Sequence, residues 1–111
     1  MIITRCNPGT FKVNYAVGGA QVLGPFDMET EMINSGEKIE LSKPGNPEPD
    51  GFVPYIRVEQ VNYSDGKHPL GSDPWPTSPD GGEKSLGRKV NADYSNDVDN
   101  WQAIAPSPGT P

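Results

Sequence analysis

Alternation of apolar and polar residues is clearest near the middle of the chain. In residues 38–42 (KIELS), Ile39 and Leu41 fall on one side and the charged residues beside them fall on the other. This two-residue period predicts a half-buried strand. The preceding Asn-Ser-Gly, which ends at Gly36, predicts a turn in which glycine takes a positive φ.

Residues 52–63 (FVPYIRVEQVNY) give the strongest β-strand pattern of the chain. The apolar residues change parity within this segment, because Ile56 and Val58 share one side whereas Val61 and Tyr63 share the other. A change of parity inside a strand indicates an extra residue, and we therefore predict a bulge at Glu59–Gln60.

A single short helix is predicted near the start. Asn7 is a good N-cap residue, and Pro8 suits the first helical position. Phe11 and Tyr15 are four residues apart and would share one helical face. The glycines at 18–19 would end this helix.

The rest of the chain alternates between short strands and irregular segments. Residues 2–5 and 84–90 are read as short strands, and residues 64–82 as a long loop rich in proline and glycine. Residues 91–104 are rich in Asn and Asp, which predicts turns held by bonds from side chains to the backbone. Several short strands separated by turn residues are typical of an all-β sandwich.

Composition limits the size of the core and the kind of partner. The chain has 111 residues with 13 Gly and 13 Pro, so we expect one small, loop-rich domain. A net charge of -6 argues against nucleic acid and against an anionic membrane surface as partners. No apolar run is long enough to span a bilayer, and the first residues do not resemble a signal peptide.

Candidate chemistry is sparse. Asp93, Asp97 and Asp99 are weak candidates for calcium ligands, although their spacing does not match an EF-hand loop; turn capping is the competing interpretation. The single cysteine, Cys6, is expected to be a small buried apolar residue, and pairing with His68 as a catalytic dyad is the less favoured alternative. We therefore expect no enzyme activity and no cofactor apart from a possible calcium ion.

The aromatic residues and the apolar strand residues define the predicted core. Trp75 lies between two prolines, where a plug over the end of the core is favoured over a platform for ligand stacking. The predicted core residues are Ile39, Leu41, Ile56, Val58, Tyr63, Trp75, Leu86 and Trp101.

The order of these segments resembles the lamin tail domain, in the version found in bacterial secreted proteins. The two tryptophan-containing stretches are the most specific part of the resemblance. The matching stretches are VLGPF at 22–26, NSGEKIEL at 34–41, VPYIRVEQVNYSDG at 53–66, DPWPTSPDGGEKSL at 73–86 and NDVDNWQAIAPSPG at 96–109.

The resemblance implies an immunoglobulin-like β-sandwich and a non-enzymatic interaction or architectural module. It implies an extracellular or cell-surface location, in a larger bacterial protein, with protein partners or other domains of a longer chain. The family has further strands before the segment that matches 2–5, so we predict an N-terminally truncated sandwich over 1–105 and a Pro/Gly tail over 106–111. Unpaired strands in such a unit would favour association with a second copy.

Three other interpretations remain open. One is an adhesion module stabilised by Ca²⁺ at the three aspartates, and another is a fragment without independent activity. A small hydrolase that uses carboxylates or Cys6 is a further alternative, although no recognisable catalytic motif supports it.

Overall fold

The computed structural model describes residues 1–27, 30–68 and 73–109. Within these residues strand is the main regular structure, and the helical part consists of one α-helix and one 3-10 helix. The elements in chain order are β1 (Ile2–Ile3), α1 (Pro8–Asn14), β2 (Val22–Leu23), β3 (Gly36–Pro44), β4 (Tyr55–Ser64), β5 (Ser85–Arg88), the 3-10 helix Val98–Asn100 and β6 (Trp101–Ile104).

The chain forms two compact units. The first contains residues 1–32 together with 105–111, and the second contains residues 33–104. The predicted division into a sandwich over 1–105 and a separate tail over 106–111 stays a prediction.

The first unit is built on a short parallel pair of strands. β1 pairs with β2, with Ile2 opposite Val22. Val22, Val17 and Thr4 are buried. The predicted strand at 2–5 is therefore present, although it is only two residues long.

Helix α1 begins as the sequence predicts and ends earlier. The Asn7 side chain accepts hydrogen bonds from the backbone N–H groups of Gly9 and Thr10, at 2.9 and 3.2 Å. The Phe11 and Tyr15 rings lie 4.6 Å apart. The helix ends at Asn14 rather than at the glycines, because Ala16 leaves the helical region with a φ of 50°.

The second unit is dominated by the antiparallel hairpin of β3 and β4. Its register places Ile39 opposite Val61 and Gly36 opposite Ser64. Gly36 has a φ of 125°, so the predicted glycine turn is confirmed.

A bulge interrupts the hairpin, as the change of parity predicts, but it lies slightly earlier in β4. Leu41 faces Glu59 and Ser42 faces Arg57, so Val58 is the extra residue. The bulge moves Ile56 to the side of the sheet that carries Val61. Val58 itself is 55% exposed.

The second unit also contains the strand pair β5–β6, of which the sequence predicts only β5. β5 matches the predicted strand at 84–90, and it pairs with β6, with Leu86 opposite Ala103. Turns were expected over the whole of 91–104, and this expectation is wrong for Trp101–Ile104, which is a strand. The strand has only four residues and follows a run of Asn and Asp, so the sequence pattern does not distinguish it from the turns before it.

The described chain is a small β-rich protein, and each of its three sheets has two strands. The predicted core residues separate into two groups. Tyr63, Trp75, Leu86 and Trp101 are half-buried. The exposed fractions of Ile39, Leu41, Ile56 and Val58 are 39%, 40%, 50% and 55%, so these four do not fill a core here.

The exposure of these four residues corrects the expectation and has a simple geometric reason. A two-stranded hairpin has two broad faces, and one pair of strands cannot enclose its own apolar face. β5 and the segment around Trp101 border only part of that face.

Candidate interaction site

The apolar side of the β3–β4 hairpin is the most distinctive surface of the second unit. Successive strand residues point to opposite faces, so the register and the bulge place four apolar side chains on one face. We call this surface the apolar hairpin face; it consists of Ile39, Leu41, Ile56 and Val61. Three of these residues are exposed and Val61 is half-buried.

A shallow groove of about 160 Å³ runs along one margin of this face. Its lining is mostly apolar, with one ion pair and a tryptophan at the edge. The lining residues are Ile39, Leu41, Glu59, Gln60, Val61, Arg88, Ser95 and Trp101.

The two tryptophans lie together beside the hairpin. The Trp75 and Trp101 rings are 6.0 Å apart and tilted by 43°, a favourable aromatic geometry. The Trp101 Nε1–H donates to the Ser95 carbonyl at 2.8 Å. Both residues were predicted as core residues from separate loops, and the structure brings them into one cluster.

Arg88 ties β5 to the hairpin, a role that the sequence did not reveal. Its Nη1 lies 2.5 Å from Glu59 Oε1, and its Nη2 donates to the Asp93 carbonyl. The Arg88 side chain is only 17% exposed. Residues 29 positions apart carry no shared periodicity, so no local pattern could have predicted this pair.

The predicted turns over 91–100 are confirmed as a segment held by side-chain bonds. Asn100 both accepts from and donates to the backbone of Val90, at 2.9 Å in each case. Ser95 Oγ donates to the Gln60 carbonyl at 2.7 Å, and Asn96 Oδ1 accepts from the Asn62 N–H at 2.7 Å. The segment therefore rests against the outer edge of β4.

The candidate calcium ligands do not assemble into a site. Asp97 Oδ1 accepts from the Asp99 N–H at 3.0 Å, which is the capping role weighed as the alternative. Asp93 and Asp99 offer their backbone carbonyls to Arg88 and Lys89. Within residues 1–27, 30–68 and 73–109, no cluster of three or more His, Cys, Asp or Glu side chains could hold a metal ion. The calcium site therefore gains no support from these residues and stays a prediction.

The cysteine expectation is also wrong, because Cys6 is exposed. Cys6 belongs to the first unit, whereas His68 belongs to the second. The structure gives no support to a catalytic dyad of Cys6 and His68.

Asp73 organises the described part of the 64–82 loop. It accepts a hydrogen bond from Ser64 Oγ at 2.5 Å and from the Trp75 N–H at 3.1 Å. The Ser64 hydroxyl is the main cause of a pKa below the ordinary value for this carboxyl group, and the backbone N–H bonds act in the same direction.

A second polar cluster holds the other end of this loop. Asp80 pairs with Lys67 and accepts from Asn34 Nδ2 at 2.9 Å. Lys67 is the main cause of the lowered pKa of Asp80, and Asp80 raises the pKa of Lys67 in return. Burial, reinforced by Glu37, raises the pKa of Tyr63, whose hydroxyl donates to the Ile33 carbonyl at 2.6 Å.

The lowered pKa of Asp73 leads us to expect a loss of stability in acid. A carboxyl group with a lower pKa in the folded state stabilises the fold above its unfolded pKa, and this stabilisation disappears as pH falls through the folded pKa. We expect Asp73→Asn to lower the urea midpoint at pH 6 and to flatten its decline below the ordinary pKa of 3.8.

The measurement is a series of urea titrations between pH 6 and pH 2.5, followed by circular dichroism. Asp93→Asn is the matched control, because its carboxylate lies outside the Ser64–Asp73 network. Equal pH profiles for Asp73→Asn and the parent chain would contradict the assignment.

Neither helix among the described residues has the length and apolar character needed to cross a bilayer. The chain matches no family model, no curated protein and no solved structure.

Proposed function

We propose that the chain is a non-enzymatic interaction module that resembles a lamin tail domain with an immunoglobulin-like sandwich fold. It would serve as part of a larger secreted or cell-surface bacterial protein. The order of the matching sequence stretches supports the family assignment, and the β-rich character of the described residues agrees with it.

The apolar hairpin face carries the functional proposal. Ile39, Leu41 and Ile56 leave about 40 to 50% of their surface in water although they lie on the same face of the hairpin. Adjoining exposed apolar residues on a soluble chain mark an interaction surface more often than isolated ones do. The neighbouring Trp101 adds an aromatic side chain of the type enriched in protein interfaces.

A protein is the partner that this surface suits best. The chain carries a net charge of -6, which disfavours phosphate backbones. Side-chain bonds from the 91–100 segment and from Arg88 hold the β4 strand of the hairpin in place. Recognition by a pre-organised surface costs less ordering entropy than recognition by a mobile one.

Photo-crosslinking tests the proposal. Benzoylphenylalanine would replace Ile39 in one sample and Val13, an 80% exposed residue of α1, in a control. After illumination in the extracellular fraction of the source organism, proteins crosslinked at position 39 would be identified by mass spectrometry and purified. Their affinity for the unmodified chain would then be measured by calorimetry.

We expect a protein that crosslinks at position 39 but not at position 13. Leu41→Glu should weaken its binding at least about 10-fold, because a charge would enter the apolar contact. Val13→Glu, with the same added charge, should leave the affinity unchanged. No adduct at position 39, or affinities that Leu41→Glu does not change, would contradict the proposal.

A further inference from the structure

The outer edge of β3 differs from the outer edge of β4. The Asn62 N–H and the Gln60 carbonyl are bonded to the 91–100 segment, and they therefore point away from β3. In an antiparallel pair, a residue whose backbone points outward faces a residue whose backbone also points outward. The register pairs Lys38 with Asn62 and Glu40 with Gln60. The backbone N–H and C=O groups of Lys38 and Glu40 thus line the outer edge of β3.

This edge is open within the part of the chain that the structure describes. β3 has β4 as its only strand neighbour there. An edge with unpaired N–H and C=O groups is a template for another strand. A hairpin of two strands is also marginally stable, and a third or fourth strand stabilises it.

The charges along this edge are complementary to themselves in one register. Lys38 and Glu40 are two residues apart on the same face, with Lys38 Nζ 3.3 Å from Glu40 Oε2. If two copies of β3 pair antiparallel about a two-fold axis at Ile39, Lys38 of each copy faces Glu40 of the other. An axis at Lys38 or at Glu40 would instead place like charges opposite each other. Opposite charges stabilise a cross-strand pair, and like charges destabilise it.

The same register also joins the apolar surfaces. The axis is perpendicular to the sheet, so the apolar hairpin faces of both copies lie on the same side. Ile39 of one copy would face Ile39 of the other at a non-hydrogen-bonded position, where side chains approach most closely. Leu41 and Ile39 are 40% and 39% exposed in the single chain and would both lose water contact.

We propose that a second copy of this chain pairs with the outer edge of β3, antiparallel and centred on Ile39, to form a continuous four-stranded sheet. The proposal rests on the assignment of the chain as an interaction module, and it names a second copy as a partner. Such an interface is isologous, since the same patch contributes from both copies.

Sedimentation velocity over a concentration series up to about 1 mM tests the pairing. The samples are the parent chain, Lys38→Glu, Glu40→Lys, an equimolar mixture of these two variants, and Lys84→Glu as a control with the same charge change at an exposed position. All are measured at about 0.15 M salt, where the Debye length is about 8 Å and the repulsion between net negative chains is screened.

We expect the parent chain and Lys84→Glu to dimerise, and each β3 variant alone to bind itself at least about 10-fold more weakly. The mixture should recover dimers, because every cross-strand pair then joins a glutamate to a lysine. A variant that had merely lost its fold would not be rescued by mixing.

Two results would overturn the pairing. One is a parent chain that stays monomeric at about 1 mM, and the other is a dimer that Lys38→Glu and Glu40→Lys leave unchanged. Suppose that the pairing fails but a purified protein crosslinks at position 39 and Leu41→Glu weakens its binding. In that case only the proposal that the partner is a second copy is wrong. If no protein binds there either, the proposed function is wrong as well.

Discussion

Trp101→Ala is expected to lower the free energy of unfolding by about 3 kcal/mol, near the lower end of the range for tryptophan truncation. The half-buried ring lies at the start of β6 and contacts Trp75, and its Nε1–H bonds the Ser95 carbonyl. Its removal therefore costs apolar burial, an aromatic pair and a hydrogen bond together. Urea unfolding followed by circular dichroism measures the loss without relying on tryptophan fluorescence.

Two comparison variants separate these contributions. Trp101→Phe keeps a ring beside Trp75 but removes the N–H donor, so we expect a loss of about 1 kcal/mol, plus any packing cost. Tyr94→Ala removes an aromatic side chain of the 91–100 segment that is 69% exposed, and should change the free energy by less than about 0.5 kcal/mol. Equal losses for Trp101→Ala and Tyr94→Ala would show that the tryptophan pair does not support the second unit.

Gly36→Ala is expected to cost about 3 kcal/mol, because strain at an unfavourable φ alone costs about 1 to 3 kcal/mol. The φ of Gly36 is 125°, and a Cβ atom there would lie 2.4 Å from the Tyr63 carbonyl oxygen. Backbone atoms on the facing strand cannot move aside without opening the last pair of the hairpin. Thermal and urea unfolding would both report the change.

Gly51→Ala is the matched control for the backbone strain. Gly51 also has a positive φ, 86°, but among the residues that the structure describes none except its own chain neighbours lies within 4 Å of the Cβ position. Alanine there should cost only about 1 to 2 kcal/mol, the penalty of a left-handed backbone. If both alanine variants lost the same stability, the close approach of Gly36 to β4 would be contradicted.

The hairpin was predictable because its signals are local. The alternation around Ile39 and the Asn-Ser-Gly turn are each contained within a few residues, and the structure confirms the strand and the turn. The change of parity also predicted the bulge, since an extra residue leaves a trace in the apolar pattern. Its position was displaced from Glu59–Gln60 to Val58 because that pattern does not fix which residue loses its partner.

The features that sequence reasoning missed depend on distant contacts. β6 follows a run of Asn and Asp residues and is recognisable only through its pairing with β5. The Arg88–Glu59 ion pair joins β5 to β4, and no local pattern in the sequence links these two residues. The predicted core failed at Ile39, Leu41 and Ile56 because alternation identifies an apolar face but does not show whether a second layer covers it.

Amide hydrogen exchange along β3, read residue by residue by NMR, tests the central claim that this strand presents an open edge beside an exposed apolar face. In a dilute monomeric sample, the Ile39 amide should exchange slowly because it is bonded to β4. The Lys38 and Glu40 amides should exchange fast, and they should become protected as the concentration rises. Slow exchange at Lys38 and Glu40 in the dilute sample would show that the edge is already occupied, and would contradict the account.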